Sequence, residues 1–325
     1  MLRCGIGINQ SPGITVQQTV EICQDAEQKG YYSCWAADQG LDCRDIFVTL
    51  AAVAQKTSKI RLGTGITHPY TRHPAVTASA FGSLNELSDG RAFMGVSAGG
   101  IDTFIPIGLQ RPKPLAATRE LIQISRLLFK GERASFKGEL FQLNDAYMDS
   151  GKADIMIWLA GRGPKMLTMG GEIADGVLLD FIHKDFLADN VSVVMDGAKN
   201  TGNKPKISYS TMIITNEKVL EEFRPMIFWR LLEPPRNVME AIGLTDADIN
   251  AMRQVFASEG IQAVGKLIKD EWIRPFVVMG SVEACAKELK EIVKTHHIDE
   301  FVLPILSVKT TPNFLSEVAK VLALT

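Results

Sequence analysis

The sequence is poor in the features that announce several large functional classes. Its 325 residues hold five cysteines (Cys4, Cys23, Cys34, Cys43 and Cys285), an odd number with no CxxC pair. That argues against a disulfide framework or a thiolate metal site and makes a reducing cytoplasm the expected location. The five histidines, His68, His73, His183, His296 and His297, form no HExxH or comparable ligand spacing, so no metal is expected. Neither sign of charge dominates: the formal net charge is -2 and there is no long basic run, which speaks against nucleic acid or an anionic membrane as partner. No stretch approaches the roughly 18 uninterrupted apolar residues of a membrane span. The start MLRCGIGINQSPG lacks the apolar core of a secretory signal. Internal repeats, low-complexity tracts, a nucleophile elbow, a Walker loop and a GxGxxG after the first apolar run are also missing. A hydrophobic content of 46% with 22% charged residues is that of an ordinary globular chain.

What is present is a regular alternation. Short apolar runs read as strands at Arg3 to Asn9, Tyr31 to Ala37, Lys59 to Thr67, Arg91 to Ser97, Asp154 to Leu159, Asp175 to Asp180, Lys206 to Thr215 and Glu300 to Leu303. Helical patterns follow them. One opens with Thr15 and Gln18 at capping-box spacing after a turn at Ser11-Pro12-Gly13. Others run over Ile46 to Gln55, Pro74 to Leu87, Ala116 to Phe129 and Phe186 to Ala198, and from Ser281 to Lys294, with a last helix opening at Thr311-Pro312. A hairpin turning at Lys137-Gly138 interrupts the series, and residues 221–274 form a mostly helical insertion. Strict strand–helix alternation implies parallel strands and crossover helices. Eight units predict a single (β/α)8 TIM barrel with insertions, with a doubly wound open sheet as the alternative.

In such a barrel the site lies where strands end. Those ends are Gly7 to Gln10, Asp38-Gln39, Gly65-Ile66-Thr67, Ser97-Ala98-Gly99-Gly100, Gly161-Arg162-Gly163 and Asp180-Phe181. The stretch GTGITHPYTRHPAVTA, Gly63 to Ala78, stands out among them. Two glycines end its strand, which points to something that needs close backbone approach. His68, Tyr70, Thr71, Arg72 and His73 follow at once, either as a polar loop or as the wall of a ligand site. Gly161-Arg162-Gly163-Pro164 opens a helix and reads as an anion cradle or as a tight turn. Asp38 is a general acid/base, a helix cap, or an ion-pair partner of Arg44 or Arg72. A roomy, glycine-lined site with no nucleophile suggests that a cofactor supplies the chemistry.

Arg44-Asp45 with Thr49-Leu50, GTGITHPYTRHPAVTA, ELSDGRA (Glu86 to Ala92) and GPKMLTMGGEIADGVL (Gly163 to Leu178) together resemble the luciferase-like oxidoreductases. The likeness is to their coenzyme F-420-dependent methylenetetrahydromethanopterin reductase branch. It runs over nearly the whole chain and is weakest in the insertion. It implies a deazaflavin or flavin at the strand ends, hydride transfer to a small-molecule substrate, and a homodimer. It also implies a cis peptide at Gly65-Ile66 beneath the ring. By the same resemblance Asp38, Gly65, Ile66, Thr67, Ser97 to Gly100 and Gly161 to Pro164 belong to the cofactor shell, and Asp38 and Gln39 stand at the catalytic positions. Two departures concern the chemistry. The branch has an acid near the end of the first strand, where this chain has Gly7, and Asp-His where this chain has Asp38-Gln39. The loss of a carboxylate and an imidazole favours another substrate for the same cofactor. The alternatives are an FMN-dependent monooxygenase and a degenerate, non-catalytic barrel that serves as a partner subunit.

Overall fold

Strands that are apolar on both faces must be covered on both sides, and a closed parallel barrel does this with side chains inside and helices outside. The computed structural model describes residues 2–10 and 12–325, without the side chains at 101 and 102. Ser11 of the expected turn therefore lies outside the described residues. The barrel strands are β1 (Arg3–Ile8), β2 (Ser33–Ala36), β3 (Arg61–Thr64), β4 (Ala92–Val96), β5 (Met156–Ala160), β6 (Gly176–Asp180), β7 (Lys206–Ser210) and β8 (Glu300–Pro304). Neighbours are parallel all round, and β8 pairs with β1 from Arg3↔Glu300 to Gly7↔Pro304, which closes the ring. The expected (β/α)8 barrel is thus the fold, and the open sheet is excluded by that pairing.

The outer layer is α1 (Val16–Gln28), α2 (Ile46–Lys56), α3 (Pro74–Leu87), α4 (Pro114–Leu128), α5 (Pro164–Ile173), α6 (Leu187–Thr201), α7 (Val282–His296) and α8 (Thr311–Ala323). Their starts follow from local chemistry. The Thr15 hydroxyl accepts the Gln18 amide while the Gln18 side chain accepts the Thr15 amide, a closed capping box. Asp45 caps α2 by accepting from the Phe47 and Val48 amides.

The barrel interior is filled by Trp35, Phe93 and Trp158, with ring centroids 4.4 Å (Trp35–Phe93) and 5.4 Å (Trp35–Trp158) apart. Rings of this size fit only if the facing positions carry no side chain. A Cβ on Gly63 would stand 2.0 Å from the Phe93 carbonyl oxygen, one on Gly65 2.6 Å from the Trp35 Cβ, and one on Gly176 2.3 Å from the Trp158 ring. The glycine pair at the end of β3 therefore answers to the barrel's own packing. The close approach that the sequence implies is made by Phe93 and Trp35, not first of all by a ligand.

Two of the motifs that mark the resemblance are likewise built for the fold. In ELSDGRA, Asp89 and Gly90 take left-handed φ values of 51° and 78°. Arg91 then donates to the Ala54, Thr57 and Ile60 carbonyls, which ties β4 to the end of α2. In the stretch from Gly163, a Cβ on Gly171 would lie 1.9 Å from the Val194 carbonyl oxygen, so α5 and α6 pack backbone against backbone.

One strand differs from expectation. The run from Lys206 to Thr215 breaks after Ser210, because the Thr211 amide donates to Val302 and its hydroxyl to Phe276. Residues Met212–Ile214 leave the barrel and pair in parallel with Val277–Met279. Between these strands lie the helices of the insertion, among them Glu217–Phe223, Phe228–Leu231, Arg236–Ile242 and Asp246–Glu259. Phe228 and Trp272 are fully buried there and serve packing, while Trp229 is 43% exposed beside Phe256. Among the described residues no helix is long and apolar enough to cross a membrane.

Candidate functional site

The C-terminal ends of β1, β2 and β3 are knit into one polar network. Asn9, with a left-handed φ of 57°, donates its amide to the carbonyls of Ala37 and Arg44. Past the end of β2, the Asp38 carboxylate is 7% exposed and accepts from Thr67 Oγ1 at 2.7 Å and Arg72 Nη1 at 2.9 Å. Arg72 also reaches Asp45 at 3.0 Å and lies over the Phe47 ring at 5.0 Å. Of the two partners considered for Asp38, Arg72 is the one that pairs with it. A carboxylate held by a guanidinium and a hydroxyl is a fixed anion. Gln39 is exposed, and its side-chain oxygen accepts from the Cys43 thiol at 3.3 Å.

The peptide Gly65–Ile66 is cis. The Gly65 amide donates to Ala36, the Asp38 amide to Ile66, and the Thr67 amide to Gly95, so the end of β3 is pinned from both sides. Ile66 is half-buried and packs on the Trp35, Phe93 and Trp158 cluster, forming a platform above the filled interior. At the end of β1 the Gln10 carboxamide folds back over Gly7, with its nitrogen 2.6 Å from where a Cβ would stand. An amide thus takes up the space beside the position where a carboxylate is missing.

His68 follows this platform. It is 1% exposed, packs edge-on against Phe104 at 4.7 Å and stacks with Tyr70. Burial pushes its imidazole below the ordinary value, opposed by the nearby Asp38 charge. Its Nε2 has no hydrogen-bond partner among the described residues. The loop after β4 closes over this corner: the Tyr70 hydroxyl donates to Pro112 and Arg111 to Gly99. Ser97 continues the ladder by donating its amide to Thr67, Ala98 is buried, and Gly100 is exposed. A Cβ on Gly99 would strike the Phe104 ring at 2.6 Å, so this glycine is required by the loop itself.

The start of α5 differs from the other strand ends. Among the described residues, Gly163 occupies its N-cap without any side-chain hydrogen bond, and none stands within 4 Å of where its Cβ would be. Among the described residues the amides of Arg162, Gly163 and Lys165 have no acceptor in the protein. Three free N–H groups at the positive end of a helix, on an open glycine, suit a phosphate or carboxylate. Gly161 is tighter, with the Met166 side chain 2.6 Å from a Cβ position, and Pro164 sets the first helical turn. Arg162 pairs with Asp180 at 2.8 Å across the ends of β5 and β6.

The strand-end residues read from sequence therefore fall into an anchored network at Asp38 and Thr67, a platform at Gly65 and Ile66, and an open cradle at Arg162 and Gly163. These fit a flat ligand with an anionic end. His68 and Arg72 belong to the run read either as a polar loop or as the wall of a ligand site, and both stand at this corner; Arg230, in the insertion, carries no motif and was not read as a binding residue. Arg72 and His68 stand in the same stretch as the platform, and a polar run so close after a strand end was the available signal. Arg230 is the one charge in the apolar run Met226 to Leu232, which marks it as exceptional on a buried helix.

A family model described as luciferase-like monooxygenase matches residues 3–297. The 5,10-methylenetetrahydromethanopterin reductase of Methanolobus tindarius is 31% identical over 294 residues, covering 88% of this chain and 90% of that protein. The enzyme of the same name from Archaeoglobus fulgidus is 32% identical over 298 residues, covering 89% and 90%. In fold, the chain is similar to the coenzyme F420 dependent tetrahydromethanopterin reductase of Methanopyrus kandleri. The TM-score is 0.88 at 24% identity, over 98% of this chain and 97% of that one.

Proposed function

The chain belongs to the luciferase-like family, and on that premise we propose that it is a coenzyme F-420-dependent oxidoreductase acting at the strand C-termini. The observation that carries this reading is the 31–32% identity, over about nine tenths of both chains, to relatives named as methylenetetrahydromethanopterin reductases. When bound, the deazaflavin supplies hydride to, or takes it from, an organic electrophile such as an imine, carbonyl, activated alkene or nitroaromatic.

The chain's own residues bind, orient and exclude water. Gly65 and Ile66 form the platform for a flat ring. Asp38, fixed by Thr67 and Arg72, presents a stationary negative charge at its edge. The free amides at Arg162, Gly163 and Lys165 receive an anionic end. Proton supply distinguishes this chain within the proposal. Gln39 does not titrate, Gln10 is a second amide, and Asp38 is committed to Arg72. This supports an acceptor that takes its proton from solvent, and hence a substrate other than methylenetetrahydromethanopterin. A soluble cytoplasmic homodimer remains part of the same proposal.

The test is direct. Reduced F-420 is mixed with purified protein and a panel of hydride acceptors, and the absorbance of the oxidised cofactor is followed. Turnover of at least one acceptor supports the reading, and its absence across all four classes sinks it. The monooxygenase reading is favoured by the family description itself. It predicts oxygen uptake with reduced FMN and none with reduced F-420. The partner-subunit reading draws on Gly7 and Gln39, and predicts no turnover with either cofactor together with a stable complex with another chain.

A further inference from the structure

Arg230 carries a charge that the protein leaves without a counterion. It lies in the short helix Phe228–Leu231 of the insertion and is 7% exposed. Its Nε donates to the Phe181 carbonyl at 2.8 Å. Among the described residues its two terminal nitrogens have no hydrogen-bond partner, and no carboxylate forms an ion pair with it. The Phe276 ring lies 5.8 Å from its Cζ and covers the guanidinium with an aromatic face. Phe181 turns its carbonyl to Arg230 from a left-handed bend, φ 45°, just past the end of β6.

The electrostatics nearby make the imbalance sharper. Arg162 and Asp180 both act on Arg230, but Asp180 is already engaged by Arg162 at 2.8 Å. Two guanidiniums thus share one carboxylate. Burial, followed by repulsion from Arg162, pushes Arg230 down to about 10, with Asp180 opposing. At neutral pH the side chain is still charged. The side chain is largely enclosed while its terminal nitrogens keep contact with solvent-accessible space, and for packing alone a leucine or methionine would serve better. Its retention is accounted for if an anion covers it in the working protein.

We propose that Arg230 and Arg162 form an oxyanion-binding site between the insertion and the end of β6, taking a phosphate or carboxylate group of a bound ligand. The adjoining free amides at the start of α5 extend the same positive field. The planar fork of an arginine suits both groups, since it offers paired donors to paired oxygens. The anion is either the acidic portion of the cofactor or an acid group of the substrate. The first of these sources rests on the function proposed above, and the site itself does not.

Inorganic phosphate is the probe, titrated calorimetrically at low salt onto the full chain, onto Arg230→Met and onto Arg230→Lys. Wild type is expected to bind it saturably. Arg230→Met should weaken binding by about 10- to 100-fold, the range for losing a charged hydrogen bond, with Arg230→Lys between. Equal affinity in wild type and Arg230→Met, or no saturable binding to wild type up to tens of millimolar, overturns the proposal. Thermal unfolding without ligand is the control. Arg230→Met should melt within a few degrees of the wild-type midpoint, because loss of the bond to the Phe181 carbonyl is offset by relief of an uncompensated charge; a larger drop would show that the guanidinium is structural and would also overturn the proposal.

F-420 and its deazaflavin riboside fragment, which lacks the phosphate and acidic tail, then distinguish the sources. If the anion belongs to the cofactor, Arg230→Met loses affinity for F-420 and keeps it for the fragment. If it belongs to the substrate, both affinities are unchanged, and phosphate still binds the F-420-loaded wild type more tightly than the loaded variant. Binding of neither F-420 nor fragment by wild type would end the deazaflavin reading alone, since the phosphate titration stands without it.

Discussion

Replacing Gly63 and Gly163 by alanine should separate the glycines that serve the barrel from those that serve a ligand. At Gly63 the new methyl would lie 2.0 Å from the Phe93 carbonyl oxygen and 2.8 Å from its carbonyl carbon. A carbon–oxygen contact needs about 3.2 Å or more, so β3 and β4 would have to part by roughly 1 Å. Both atoms are backbone, held by the Leu62↔Ala92 and Gly63↔Phe93 pairing, and neither can rotate away. Forced overpacking typically costs about 1–3 kcal/mol, and with two unyielding backbone atoms the cost here should be at or somewhat above the upper end, about 3–4 kcal/mol. At about 2–4 °C per kcal/mol for a large domain, the midpoint falls by on the order of 10 °C. Gly163 is the opposite case. Its φ of -87° suits alanine and nothing stands within 4 Å of the new methyl. Stability should change by about 1 kcal/mol or less, while the methyl narrows the cradle of free amides and weakens an anionic ligand. Urea unfolding and F-420 titration of both variants read the two effects. A Gly63→Ala protein as stable as wild type, or a Gly163→Ala protein with lowered stability and unchanged ligand affinity, would refute the assignment.

Other outcomes follow from the same geometry. In a double-mutant cycle of Asp38→Asn and Arg72→Met, urea unfolding should show a coupling of about 1–3 kcal/mol, because the pair is largely buried; additivity would mean that Asp38 is held by Thr67 alone. Glu300 is buried at the N-terminal end of the barrel and accepts from Ser33 Oγ and, at 3.1 Å, from Trp35 Nε1. Burial raises its pKa above the ordinary 4.5, against the lowering by those two donors. The folded state therefore binds this proton more tightly than the unfolded one, and the stability it contributes is full below pH 4.5 and is lost as pH rises through the raised value. Glu300→Gln keeps an acceptor for both donors and has no charge to bury, so its stability advantage over wild type should widen from pH 4.5 upward and then level off; a gap independent of pH would contradict the assignment.

The barrel was legible because parallel strands buried on both faces read as short apolar runs, each closed by a helix with its own cap, as at Thr15 and Asp45. The break in β7 was not. Met212–Ile214 follows Lys206 to Thr211 with no turn residue between them, and its partner Val277–Met279 lies beyond the whole insertion. Which carbonyl Thr211 bonds to is a tertiary fact that no local pattern carries. The glycines at the end of β3 show the same limit in another form. Their sequence signals that something approaches the backbone, but the occupant, Phe93, stands thirty residues on, and a ligand and a neighbouring strand leave the same trace. The Asp38–Arg72 pair was legible as one of two options, since only these arginines stood within reach of the strand end. Arg230 was hidden by the insertion's lack of motif, although a lone arginine between tryptophan and leucine on an apolar helix is a signal in its own right.

Cofactor choice separates the F-420 and FMN readings. The purified protein is titrated with oxidised F-420 and with FMN, and quenching of cofactor fluorescence and co-elution on gel filtration are followed. Saturable F-420 binding and markedly weaker FMN binding are the expected result. Tight FMN binding without F-420 binding, or binding of neither, would contradict the proposed function.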